Sequence, residues 1–181
     1  MNESEPSIRS FLAVEFESVF LRRLEACQKR LSNELSIPLR MTKRQRVHLT
    51  LMFLGNRTNP ELEQITQALS GIQHEPLSLA CTGYDFFEPS VIYAKIEGAE
   101  SLVKAIDETL FPLNIHREHS EFIGHATLAR TKEKNTASVS RVLSSLPLFH
   151  ELSTANSYTL FQSKISHLGA EYSVLKRFSL G

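Results

Sequence analysis

Two apolar runs constrain this chain more than any other feature, because both are interrupted by the same pair of polar residues at the same spacing. The first is VHLTLMFLG (47–55) and the second is HATLAR (125–130). In a chain with seven histidines, two occurrences of His-x-Thr-Leu are expected on the order of once in five hundred by chance. Side chains alternate faces along a strand. His48 and Thr50 therefore project together, while Leu49 and Leu51 project the other way into a core. His125 and Thr127 stand in the same relation to Ala126 and Leu128. Each run predicts a strand with one buried face and one face offering an imidazole and a hydroxyl. Two such strands opposed across a cleft would surround one ligand with both imidazoles and both hydroxyls.

The remaining pattern predicts how the strands are carried. Residues 8–16 form an apolar run of strand length, and Phe20, Leu21, Leu24, Cys27 and Leu31 then fall at helical spacing, predicting an amphipathic helix over 17–35. After Pro38 comes the first histidine strand, which Gly55 ends. Asn59-Pro60 opens a second helix, with Leu62, Ile65, Leu69 and Ile72 as its core stripe. Residues 77–87 and 91–97 predict an antiparallel hairpin turning at Glu88-Pro89-Ser90. A third helix is predicted over 100–110, a polar loop over 114–121, a fourth helix over 136–146, and two last strands over 157–167 and 171–180.

Each histidine strand is thus followed by a helix, which makes a weak internal repeat. At 181 residues there is room for one substantial core and not for two ordinary independent domains. The expected architecture is α+β, with two pseudo-symmetric β/α lobes whose antiparallel sheets line a central cleft, in a single bilobal domain over 1–181.

Net charge is zero with neutral histidines, which excludes binding of nucleic acid through bulk positive charge. One local basic patch remains, formed by Arg40, Lys43, Arg44 and Arg46. It reads either as a solvated loop or as a rim that meets phosphates. Cys27 and Cys81 have neither disulfide-framework nor zinc-site spacing. The polar, acidic N-terminus lacks a signal-peptide pattern, and no apolar run has membrane-spanning length. A cytoplasmic protein is expected, without a membrane partner, and a monomer, since no coiled-coil seam is present.

Two imidazoles titrating near neutrality can divide labour, one taking a proton from a nucleophile and the other giving one to a leaving group. Threonine hydroxyls can donate to anionic oxygens without adding charge. That set suits in-line displacement at phosphorus, where protons move at opposite ends and the equatorial oxygens need donors. No carboxylate pair flanks either motif, so glycosidase chemistry is poorly supported. Neither motif holds a second metal ligand at useful spacing, so no metal and no cofactor is expected. No nucleophile-elbow pattern is visible.

HLTLMF and HATLAR resemble the paired His-x-Thr motifs of the 2H phosphoesterases, and specifically the RNA 2',3'-cyclic phosphodiesterases once called 2'-5' RNA ligases. SFLAVEF, VIYAKIEG, YTLFQSKIS and EYSVLKRFSL are similar to other strands of that family, so the likeness spans nearly the whole chain. The resemblance implies an enzyme that opens a terminal 2',3'-cyclic phosphate of RNA to a 2'-phosphate, and that joins ends through 2'-5' linkages in reverse. It implies that His48 protonates the departing ribose 3' oxygen and that His125 activates water. Thr50, Thr127 and Arg130 would hold phosphate oxygens, and Phe53 would stack on the terminal nucleobase. Two rival readings are a 2H phosphodiesterase of a small non-RNA cyclic nucleotide or ADP-ribose cyclic phosphate, and a non-catalytic RNA-end-binding protein.

Strand parity conflicts with part of this assignment. Phe53 and Arg130 each lie five residues after their histidine, so in regular strands they would face away from it unless the strand twists or bulges after the threonine. The chain also departs from the family in having Gly124 where proline is common and Arg46 where asparagine is common. Of the other histidines, His74, His150 and His167 read as surface residues, and His116 and His119 as a loop bordering the cleft. Tyr93 and Tyr172 read as strand packing.

Overall fold

The computed structural model describes residues 7–87, 91–117, 121–133, 136–166 and 169–181. In chain order its elements are β1 (Ile8–Glu15), α1 (Ser18–Glu34), β2 (Arg40–Met41), β3 (His48–Arg57), α2 (Asn59–Leu69), β4 (Leu77–Phe87), β5 (Val91–Glu97), α3 (Glu100–Leu110), β6 (His125–Arg130), α4 (Thr136–Ser145), β7 (Ser153–Ala155), β8 (Ser157–Ser166) and β9 (Gly169–Ser179). The expected helices and long strands are present. β3 runs on past Gly55 to Arg57, and the very short β2 and β7 were not expected. The turn at 88–90, His119 and His167 lie outside the described residues.

All strands join one antiparallel sheet in the order β7-β4-β5-β6-β3-β1-β8-β9, with β2 paired to β6 beside β3. Its centre is the β3/β6 neighbourhood, and the order outward is similar on both sides. In each half, a strand and its histidine strand are antiparallel neighbours connected through a helix: β1-α1-β3-α2 on one side, β5-α3-β6-α4 on the other. The two lobes expected from the repeat are these halves of the sheet, and the histidine strands lie side by side at the seam.

The helices bury their stripes on one face of the sheet. Phe20, Leu24, Cys27 and Leu31 of α1, Leu62, Ile65 and Leu69 of α2, Leu102, Val103, Ile106 and Leu110 of α3, and Val139, Val142 and Leu143 of α4 share one core with Leu49, Leu51, Ala126 and Leu128. Burial of this apolar surface is the dominant stabilising contribution. α2 starts where a capping box fixes it: Thr58 Oγ1 accepts from the Glu61 N–H, and the Glu61 carboxylate accepts from the Thr58 N–H at 2.7 Å. The other face of the sheet carries a separate small apolar cluster of Phe11, Ala13 and Phe161. Among the described residues, no helix is long and apolar enough to cross a membrane.

Candidate active site

β3 and β6 share a single bridge, Leu49 to Ala126. In that antiparallel register His48 stands opposite Thr127, and Thr50 stands opposite His125. The histidine of each motif is therefore the cross-strand neighbour of the other motif's threonine. The two histidines are diagonal neighbours, roughly 7–8 Å apart at Cα. Leu49 and Ala126 are fully buried between them, while all four polar side chains are half-buried on the opposite face. One face of two adjacent strands thus brings together the four residues that the motifs single out.

The parity conflict at Phe53 and Arg130 is resolved by two equivalent bulges. Along β1 and β3, Ala13 pairs with Thr50 but Leu12 pairs with Met52, so Leu51 is an extra residue. Along β5 and β6, Tyr93 pairs with Thr127 but Ile92 pairs with Ala129, so Leu128 is extra. Each bulge lies three residues after its histidine and sends two consecutive side chains into the core, Leu51 with Met52 and Leu128 with Ala129. The next residue then returns to the histidine face. Phe53 emerges 56% exposed, with its ring 6.1 Å from that of Phe11, which is itself 5.2 Å from the His48 ring. Arg130 emerges exposed.

The second bulge is held from behind by Gln28, a residue that the sequence pattern did not mark. Its buried side-chain amide donates to the Leu128 carbonyl at 2.7 Å and to the Thr42 carbonyl at 2.8 Å. The Thr42 N–H donates to the same Leu128 carbonyl at 2.9 Å. The irregular backbone is satisfied by α1 and the loop after β2.

Both imidazoles are oriented in one way. Nδ1–H of His48 donates to the Arg46 carbonyl at 2.8 Å, and Nδ1–H of His125 donates to the Ile123 carbonyl at 2.8 Å. A carbonyl can only accept, so each neutral ring carries its proton on Nδ1 and keeps the Nε2 lone pair for the open face. Gly124 supports this geometry. Its carbonyl accepts from the Ile96 N–H at 2.9 Å, and a Cβ built there would lie 2.1 Å from the Ile96 carbonyl oxygen. The proline common in the resembling family cannot occupy that position without moving β5.

Aromatic rings enclose both histidines. Phe11 and the edge of Tyr172 meet His48, the latter at 5.3 Å, while Phe87 and Tyr93 meet His125 at 5.1 and 5.4 Å. Tyr172 lies on β9, three strands away from β3, so the sheet curls strongly toward this face. Tyr172, 36% exposed, packs as expected, its ring against Phe11 at 5.0 Å as well as against His48. Tyr93, 4% exposed, also packs, beneath His125. His116 is placed elsewhere, against Asn114 and Phe111 at the end of α3.

Burial among these rings pushes His48 down from an ordinary value to about 4, the Arg46 carbonyl opposing this and the charge of His125 adding to it. The expectation that both imidazoles titrate near neutrality is corrected at His48. The residues directly across from the histidines differ in sign. Glu15 of β1 is paired with His48 and Lys95 of β5 with His125. Each is tied to an opposite charge, Glu15 to Arg177 at 2.8 Å and Lys95 to Asp85 at 2.8 Å. Among the described residues, no group of three or more His, Cys, Asp or Glu side chains is placed to hold a metal ion.

Comparison with known proteins places this geometry among relatives. A family model described as LigT-like phosphoesterase matches residues 14–93. The chain is 28% identical over 180 residues to an RNA 2',3'-cyclic phosphodiesterase of Archaeoglobus fulgidus, covering 94% of this chain and 99% of that protein. It is 26% identical over 162 residues to a protein of the same name from Aquifex aeolicus, with coverages of 82% and 85%. The crystal structure of E. coli LigT superposes with a TM-score of 0.77 over 97% of this chain and 99% of that one, at 19% identity, a likeness of fold. The crystal structure of TT0787 of Thermus thermophilus superposes with a TM-score of 0.75 at 25% identity, over 95% and 97% of the two chains.

Proposed function

We propose, from the match of residues 14–93 to the LigT-like phosphoesterase model and the likeness of the chain to RNA 2',3'-cyclic phosphodiesterases, that it is a 2H phosphoesterase and, within that superfamily, a metal-independent RNA 2',3'-cyclic phosphodiesterase. The observation that carries the proposal is the pair of imidazoles. Both are held by Nδ1 to a backbone carbonyl two residues back, and both turn Nε2 to one face shared with two threonine hydroxyls.

On this reading a terminal 2',3'-cyclic phosphate sits over the Leu49/Ala126 bridge. Nε2 of neutral His125 takes a proton from water as its oxygen bonds to phosphorus. The P–O3' bond breaks in line, and O3' takes the proton carried by Nε2 of His48, leaving a 2'-phosphate and a 3'-hydroxyl. Exchange with solvent returns the proton from His125 and reprotonates His48. Thr50 and Thr127 donate to the non-bridging oxygens, and the planar fork of Arg130 supplies charge. Phe53 offers an exposed ring for the terminal base. With a 5'-hydroxyl in place of water, the same displacement makes a 2'-5' phosphodiester, which is the ligase reaction.

In the free protein His48 is neutral at pH 7. Its acid role therefore requires the bound phosphate's negative charge to restore its proton.

The test is incubation of the protein, in EDTA, with an RNA oligomer ending in a 2',3'-cyclic phosphate. Conversion to a 2'-phosphate is expected. An intact cyclic end would reject the proposal in favour of an end-binding protein, loss of turnover in EDTA alone would reject metal independence, and a free cyclic nucleotide turned over far faster than the oligomer would reject RNA as the substrate.

A further inference from the structure

The basic patch before the first histidine motif does not stay on a loose loop. A Cβ built on Gly169 would lie 2.6 Å from Nη2 of Arg40 and 2.8 Å from Nη1 of Arg46, so the two guanidinium groups converge on one point of β9. Gly169 has φ +107, a backbone conformation that favours glycine. Three residues along the same strand, Tyr172 meets the His48 ring. Arg46 lies two residues before His48 and its carbonyl accepts from the His48 Nδ1–H at 2.8 Å, so the arginine pair adjoins the first histidine motif.

Arg40 is also the cross-strand partner of Arg130, which emerges on the histidine face. Like charges directly opposite one another destabilise a strand pair. Compensation by carboxylates would be the ordinary remedy, and Arg44, between the two, has it from Glu25 at 2.6 Å. Among the described residues no carboxylate forms an ion pair with Arg40, Arg46 or Arg130. Three uncompensated guanidinium groups at one end of the site, in a chain with zero net charge, call for an anion from outside.

We propose that Arg40 and Arg46 bind a second phosphate, the internucleotide phosphodiester immediately upstream of the reacting terminus. The site then selects an RNA strand over a free cyclic nucleotide. A planar guanidinium fork suits a phosphodiester's two free oxygens, and two of them can grip it from adjacent sides. This rests on the cyclic phosphodiesterase reading and extends it from the reacting group to the strand that carries it.

The experiment compares kcat/KM for a dinucleotide ending in a 2',3'-cyclic phosphate with that for the matching cyclic mononucleotide, in wild-type protein and in the R40Q/R46Q double variant. Both substrates use His48, so any effect on its anchoring carbonyl at Arg46 cancels in the ratio. The wild type is expected to prefer the dinucleotide by on the order of tenfold or more, and the double variant to lose most of that preference through KM. Raising salt should weaken dinucleotide binding in the wild type with a log–log slope steeper by about 0.7 than in the variant, the value for one phosphate contact on a single strand. A wild type without the preference, or a preference kept by the variant, would overturn the proposal. No turnover of either substrate by the wild type would instead defeat the cyclic phosphodiesterase reading, and the proposal with it.

Discussion

Phosphate binding should return a proton to His48. In the free protein the ring lies among Phe11 and Tyr172 and titrates at about 4 rather than 6.5, chiefly because its charged form loses water there. That difference is worth about 3 kcal/mol. A single negative charge about 4 Å away, at an effective dielectric constant near 20, returns about 4 kcal/mol. Saturating inorganic phosphate should therefore raise the His48 value from about 4 to ~7, which is where a general acid is useful. The assay is an NMR titration of the imidazole resonances between pH 3.5 and 8, with and without phosphate. The same protonation enters stability. Unfolded, His48 takes its proton near 6.5; folded, near 4. Its neutral form is accommodated fully above pH 6.5, and stability is lost as pH falls from there to about 4, by up to ~3 kcal/mol. His48→Gln should remove that slope from urea unfolding curves measured across the window. A His48 that titrates near 6.5 in the free protein, or that ignores phosphate, would refute the reasoning.

Other outcomes follow from the same geometry. His48→Ala and His125→Ala should each lower kcat on oligomer substrates by on the order of 10² to 10⁴ without loss of the folded baseline in circular dichroism; full activity in either would reject the two-histidine scheme. Phe53→Ala should raise KM for an RNA end by roughly tenfold, corresponding to stacking of about 1–3 kcal/mol, with kcat nearly constant, and an unchanged KM would return Phe53 to the role of an exposed apolar residue. Gln28→Leu should cost about 1–3 kcal/mol in denaturant unfolding by withdrawing a buried donor from the Leu128 and Thr42 carbonyls. Gly124→Ala should cost about 1–3 kcal/mol or more, because its Cβ would overlap the Ile96 carbonyl, and a melting temperature equal to wild type would contradict that close approach.

The helices and long strands were legible because their apolar periods are long and clean, as in Leu102, Val103, Ile106 and Leu110 of α3. β2 and β7, of two and three residues, carry no period to detect. The four motif residues were legible through repetition. Their interleaving was not, since strand alternation fixes a face and leaves the neighbour open. The bulges at Leu51 and Leu128 look like any leucine in an apolar run; only the demand that Phe53 and Arg130 share the histidine face hinted at them. Phe11, Phe87 and Tyr172 come from strands whose approach depends on how far the sheet curls, which no local pattern encodes. The depressed acidity constant of His48 follows from those same rings.

The single bridge between Leu49 and Ala126 makes the site a property of the junction between two half-molecules. Each half supplies one histidine and one threonine of the motif set, and the bridge brings the two pairs side by side. An isolated β-α-β-α unit of this kind would gain a complete centre only by associating with a second copy about a two-fold axis through that contact. Fusing both into one polypeptide frees the copies to diverge, and the equivalent positions after the bulges now hold an aromatic ring on one side and a guanidinium on the other, a division of labour that a symmetric pair could not maintain.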